Sequence, residues 1–268
     1  MSIKGAMIVR EYYLPYQEAE IHVETYSHID QHFGDPTFVF LHDALGCIKS
    51  WKNFPKKLCE SLHYNGIVYD RLGHGKSTEV DQERPLDYLA REAKHILPLI
   101  IGQLAIEKPV LVGCSDGASI ALLYGTFDER CAAIISLAGH IKVEDITIEG
   151  IRSNVDKLRS NAYLNKLRIL HGNKSEKLIN DWSSVWLSPA FRHWNITQEL
   201  KSIKCPTLVV QGQKDEYATA EHCLEISEAI GPPAQTVILD DCGHFPHLEK
   251  PTELLALIQE FLITHLKD

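Results

Sequence analysis

Six short apolar runs, separated by stretches with helical spacing, restrict what this chain can fold into: TFVFLH (37–42), GIVYD (66–70), PVLVG (109–113), CAAIISLAG (131–139), PTLVVQG (206–212) and QTVILDD (235–241). Each is too short for a buried helix and lacks polar–apolar alternation, the pattern of strands covered on both faces. Two earlier segments, AMIVREYYL (6–14) and AEIHVETYS (19–27), do alternate and read as half-buried strands. Helical patterns fall between the runs: SWKNFPKKLCESL (50–62) with Pro55 in its first turns, PLDYLAREAKHILPLIIGQLA (85–105) with a kink or break at Pro98, and GASIALLYGTF (117–127). PTELLALIQEFLITHL (251–266) closes the chain. Strands alternating with helices predict parallel βαβ units. The rhythm fails between Ile141 and Leu200, which is polar, helix-like and without convincing strands. This stretch reads as an insertion, giving a core of residues 1–140 and 201–268 and a helical cap of residues 141–200.

A chain of 268 residues with 44% hydrophobic and 24% charged residues can bury a substantial core as a globular protein. Its net charge of −9 opposes nucleic-acid binding, which needs concentrated Lys and Arg, and weakly opposes an anionic membrane surface. The seven cysteines are scattered and lack C-x-x-C spacing, which predicts reduced thiols rather than a disulfide frame or zinc site. The start, MSIKGAMIVREYYL, has no apolar signal-peptide centre, and no run is long enough to span a bilayer. The expected location is cytoplasmic.

The segment VLVGCSDGASIAL (110–122) carries the sharpest signal. Its apolar run stops at Gly113, a helical pattern starts near Gly117, and Ser115 sits between them in G-x-S-x-G. On a strand-to-helix turn this motif lifts a serine hydroxyl above the sheet edge, where the helix N-terminus favours developing negative charge. The alternative is a serine that only caps the helix. Asp215 follows the PTLVVQG run and His244 follows the QTVILDD run. Three predicted strands would thus deliver Ser115, Asp215 and His244 to one sheet edge, where open α/β sheets bind ligands. His247 and Glu216 are the nearest rivals of His244 and Asp215.

With that order of residues the chain resembles the α/β-hydrolase superfamily along nearly its whole length. LHDALG (41–46) resembles its oxyanion loop and CGHFPHLEKP (242–251) its histidine segment. YDRLGHGKS (69–77) resembles its D-x-R-G-x-G-x-S loop, with Leu72 displacing the first glycine by one position. The resemblance implies an α/β fold with a mostly parallel eight-stranded sheet flanked by helices, the cap preceding the acid-bearing strand. It implies Ser115 as nucleophile, His244 as general base and Asp215 as its partner, with an oxyanion hole from the backbone amides of Ala44 and Asp116. His42 is expected to be a structural hydrogen-bonding residue. Relatives have His-Gly where this chain has His42-Asp43, so Asp43 is expected to stand in at a position suited to glycine, with the left-handed region as the reason.

GCSDG and EGIRSNVDKLRS (149–160) resemble the valacyclovir hydrolase (biphenyl hydrolase-like) branch, where the residue after the serine is associated with recognising an amino group. Asp116 is therefore both a candidate substrate-binding carboxylate and a candidate structural residue of the helix start. In WSSVWLSPAFRHWN (182–195) the aromatics suit a seam between cap and core, with Trp186 the candidate to roof a substrate pocket. The implied activity is that of a serine esterase on small carboxylic esters, with α-amino-acid esters as the case Asp116 suggests. Carbon–carbon hydrolases, lyases and enol-lactonases on the same frame, and a ligand-binding receptor retaining the triad, stay open. There is no G-x-G-x-x-G after a strand, no Walker motif and no H-E-x-x-H, so neither cofactor nor metal is expected.

Overall fold

The computed structural model describes residues 7–28 and 35–266. Ala6, the first residue of the first predicted strand, lies outside them. The strands are β1 (Ile8–Tyr16), β2 (Ala19–Ser27), β3 (Pro36–Leu41), β4 (Asn65–Tyr69), β5 (Lys108–Cys114), β6 (Ala133–Leu137), β7 (Thr207–Gly212) and β8 (Ala234–Leu239). They form one eight-stranded sheet in the order β1-β2-β4-β3-β5-β6-β7-β8. β1, β2 and β4 pair antiparallel; every other pairing, from β4–β3 through β7–β8, is parallel.

The continuous apolar runs have a direct cause. Phe38 and Phe40 of β3 enter one core and Val39 and Leu41 enter the other, because successive side chains point to opposite faces. On the first side lie helices α1 (Phe54–Leu62) and, at the chain's end, α10 (Pro251–Leu266). On the second lie α2 (Tyr88–Arg91), α3 (Leu97–Gln103), α4 (Asp116–Gly125) and, between β7 and β8, α8 (Ala220–Ile230). The chain moves outward from β3 to β4 and then returns to β5 on the other side of β3. Loops leaving β3 and β5 therefore diverge, and the crevice between their carboxyl ends is the natural place for a ligand.

Two local features differ from the sequence reading. Of the kink or break expected at Pro98, the break does not occur: a π-helical turn over Glu92–Ile96 joins α2 to α3, and the proline sits in the first turn of α3. Helix α8 was not expected; its buried Cys223, Ile226 and Ile230 have helical spacing, and Thr219 caps it by accepting from the His222 N–H at 3.2 Å.

Between β6 and β7 the chain forms helices α5 (Asp145–Arg159), α6 (Asn161–His171) and α7 (Ser175–Trp186), which reach over the carboxyl ends of the strands. A short helix, α9 (Pro246–Glu249), and then α10 follow β8. All seven cysteines are free. No helix among the described residues is long and apolar enough to cross a membrane.

Candidate active site

Ser115 occupies the step between β5 and α4 with φ 53° and ψ −117°, a region non-glycine residues seldom adopt. Its backbone is held from both sides: its N–H donates to the Leu137 carbonyl at 2.8 Å, and its carbonyl accepts from Ala118 N–H at 2.9 Å. The hydroxyl makes no capping bond to α4, so it is not a helix cap. It lies instead 2.9 Å from His244 Nε2. On the other side of the ring, His244 Nδ1 is 2.9 Å from both carboxylate oxygens of Asp215. A carboxylate next to Nδ1 places the proton there and leaves Nε2 to accept from the serine.

Close backbone approaches make the meeting possible. A Cβ on Gly212, at the end of β7, would lie 2.2 Å from the Gly243 carbonyl oxygen, so the Asp215 and His244 loops touch where only glycine fits. The Asp215 carboxylate also accepts from Tyr217 N–H at 2.8 Å.

Burial would depress the His244 pKa, but the Asp215 charge and its hydrogen bonds outweigh this and raise it above the ordinary histidine value. Burial would raise the Asp215 pKa, and His244 holds it below the usual carboxylate range instead. His247 is buried against Trp51, with ring centroids 4.5 Å apart, and its pKa falls to about 3 through desolvation. Glu216 is exposed at the rim. Neither rival bonds Ser115.

The loop after β3 carries Ala44. The Asp43 carbonyl accepts from His42 Nδ1 at 2.8 Å and from Arg71 Nη2 at 2.7 Å. His42 is fixed as the Nδ1–H tautomer because its Nε2 accepts the Arg71 backbone N–H at 3.0 Å. His42 is thus structural. No cis peptide occurs among the described residues, so the Ala44 N–H points opposite to the Asp43 carbonyl, away from Arg71. Neither it nor the Asp116 N–H donates to a protein group among the described residues. Both residues line the same cavity as Ser115.

One expectation needs correcting, and Asp116 takes the second of the two roles open to it. Asp43 is not in the left-handed region. Its carboxylate accepts from Leu45 N–H at 3.0 Å, an Asx turn that shapes the loop a glycine would otherwise shape. Asp116, in turn, does not hold its carboxylate free for a ligand. It is 1% exposed, accepts from Tyr88 Oη at 2.7 Å, and lies 3.5 Å from Arg71 Nη1. Its charge is already answered by a guanidinium.

The cavity in front of Ser115 has a volume of about 470 Å³, the size of a small-molecule site. Its far wall comes from the inserted helices and is mostly apolar, through Ile151, Leu158, Leu167, Leu170, Trp182 and Trp186, with Asn154 and Lys157 of α5 also lining it. Trp186 forms part of this wall, and its ring packs edge-on against His140 at 5.3 Å and Phe191 at 5.1 Å, so it serves as lining and seam together. The insert is pinned to the acid-bearing loop: Thr147 Oγ1 donates to the Tyr217 carbonyl at 2.7 Å, and Asn154 Nδ2 donates to Tyr217 Oη at 2.9 Å. Tyr88, Tyr217 and Asn154 escaped the sequence reading. Arg71 lay inside the YDRLGHGKS segment, where its charge beside the acidic Asp116 after Ser115 was the available signal.

A family model described as "Alpha/beta hydrolase family" matches residues 38–257. Among curated proteins, the chain is 26% identical over 254 residues to 2-hydroxy-6-oxo-6-phenylhexa-2,4-dienoate hydrolase of Comamonas testosteroni, covering 84% of this chain and 86% of that one. It is 27% identical over 240 residues to serine hydrolase BPHL of Mus musculus, covering 85% and 80% respectively. Among solved structures, a membrane phospholipase A described as a bacterial virulence factor superposes with a TM-score of 0.77 at 19% identity, over 97% of this chain and 87% of that one. The matched span runs from within β3 to within α10 and takes in every residue of the site described above: this chain belongs to the alpha/beta hydrolase family.

Proposed function

We propose that this protein is a serine hydrolase that cleaves small carboxylic esters with neutral, apolar acyl groups. The observation that carries this reading is the continuous row from Ser115 Oγ through His244 to Asp215, each step 2.9 Å. In this reading His244 takes the Ser115 proton as the hydroxyl attacks the ester carbonyl, and Asp215 steadies the imidazolium. The oxyanion is held by the N–H groups of Ala44 and Asp116. Collapse of the tetrahedral intermediate expels the alcohol, which takes the proton from His244. Water, activated by the neutral His244, then releases the acid from the acyl-enzyme. The apolar wall supports a hydrocarbon acyl or alkyl group, and the internally bonded Asp116 gives no support to an ammonium-bearing one.

A second reading rests on the first-named relative, a dienoate hydrolase, and keeps the same residues while breaking a carbon–carbon bond. Steady-state turnover of p-nitrophenyl acetate, butyrate and octanoate, beside a ring-fission dienoate, separates the two. Ester turnover over many equivalents that vanishes in Ser115→Ala supports the proposal. Turnover of the dienoate alone replaces it with the second reading, and an unimpaired Ser115→Ala removes both.

A further inference from the structure

A buried chain of hydrogen bonds runs from the inserted helices to the backbone around Ser115. Trp186 Nε1, at the end of α7, donates to Tyr88 Oη at 2.9 Å. Tyr88 Oη donates to Asp116 Oδ2 at 2.7 Å, and the same oxygen faces Arg71 Nη1 at 3.5 Å. Arg71 then reaches the Asp43 carbonyl through Nη2 at 2.7 Å. Trp186, Tyr88, Asp116 and Arg71 are 2%, 8%, 1% and 3% exposed, so water does not compete for these bonds.

The direction of the chain follows from the groups themselves. An indole N–H can only donate, so Trp186 occupies a lone pair of the Tyr88 oxygen and leaves its O–H to Asp116. Arg71 can only donate as well, so Asp116 and the Asp43 carbonyl are both acceptors of one guanidinium. Asp116 supplies one proposed oxyanion donor. The other, Ala44 N–H, belongs to the peptide whose carbonyl Arg71 grips. One cation therefore touches both sides, together with His42 on the Asp43 carbonyl; Trp186 joins the inserted helices to it through Tyr88, while His171 of α6 separately meets the Leu45 carbonyl at 2.9 Å.

We propose that Tyr88 is a positioning residue that makes seating of the inserted helices a condition for a well-formed oxyanion hole. This inference rests on the serine-hydrolase reading. With α7 in place, Trp186 orients the Tyr88 hydroxyl, Tyr88 and Arg71 together hold Asp116, and the two N–H groups face one point. With α7 displaced, the Tyr88 hydroxyl loses its orienting donor, its bond to Asp116 is no longer held in one direction, and the hole loosens. Removal of a single oxyanion donor costs about 10²–10³ in turnover, so misalignment of both has room to act.

The test uses the full chain as wild type, Tyr88→Phe, Trp186→Phe and the double variant, with a fluorophosphonate probe whose phosphoryl oxygen occupies the same hole. Expected are labelling rates slower by about 10- to 100-fold in each single variant. The double variant should be no slower than the slower single. With p-nitrophenyl butyrate the loss in Tyr88→Phe, which leaves the cavity wall unchanged, should fall on kcat, with KM within about threefold, since the interaction matters in the transition state. Thermal melts check folding. Should Tyr88→Phe fail to melt cooperatively, Trp186→Phe decides, because it leaves the Tyr88–Asp116 bond in place. Wild-type labelling rates in the single variants, losses that multiply in the double variant, or a change in KM alone would overturn the inference. A wild type not labelled at Ser115 would instead overturn the serine-hydrolase reading, and this inference with it.

Discussion

The α-carbon of Gly117 packs so closely under Leu41 that a methyl group on it would lie 1.9 Å from the Leu41 carbonyl oxygen. This contact joins the first turn of α4 to the end of β3, and so sets the Ser115 corner against the loop bearing Ala44. Gly117→Ala forces backbone apart on one side or the other. The expected cost is about 3 kcal/mol or more, read from urea unfolding, and a fall in ester turnover of about 100-fold from misplaced groups. A variant with wild-type stability and turnover would show that the contact is not needed.

His244 must be neutral to accept the Ser115 proton, and Asp215 raises its pKa above the ordinary value against the pull of burial. Activity should therefore be lost as pH falls, with the midpoint of the kcat/KM profile above the ordinary histidine value of about 6.5. Asp215→Asn removes the raising charge and leaves the desolvation. The acid limb should move to lower pH while kcat drops by about 10⁴. An acid limb that stays in place in Asp215→Asn would mean another group titrates.

The buried pair of Asp116 and Arg71 leads to an expectation about substrates. Asp116→Asn leaves the Arg71 charge without its partner, and breaking such a pair typically costs about 3–5 kcal/mol. The loss should be the same for an α-amino ester and its des-amino analogue, because the carboxylate is occupied in both cases. kcat/KM for the matched pair is the measurement. A loss tenfold greater for the amino ester would restore Asp116 as an ammonium reader.

Asp43 shapes its loop through the bond from Leu45 N–H, which an asparagine side chain can also accept. Asp43→Asn should keep kcat within about threefold of wild type. Asp43→Ala loses the Asx-turn bond, at about 1 kcal/mol, lowering Tm by about 2–4 °C. Identical melting of the two variants would contradict this role.

The triad residues, legible in the sequence, share one property: each follows a strand end. Ser115, Asp215 and His244 could be picked out because apolar runs locate the strands and the chain emerges from each at the same sheet edge. Trp186 was legible as an aromatic of the insert, though not its partner. Tyr88 lies 98 residues from Trp186 and carries no local signature; only tertiary packing brings its hydroxyl to Asp116. Asp43 shows a different limit. Its position was visible, but whether backbone conformation or side-chain hydrogen bonding explains an aspartate there depends on a Leu45 N–H that sequence does not orient. Asp116 is the same case with a larger consequence, since a free carboxylate and one bonded to Tyr88 imply different substrates.

The central claim is that Ser115 carries the acyl group between the two halves of the reaction. Mixing the protein with p-nitrophenyl butyrate, quenching in acid within the first turnover and mapping the mass of the peptide containing residue 115 tests it directly. A butyryl group on Ser115 in the wild type, absent in Ser115→Ala together with turnover, is the expected result. Sustained turnover by Ser115→Ala, or a butyryl group found only on another residue, would contradict it.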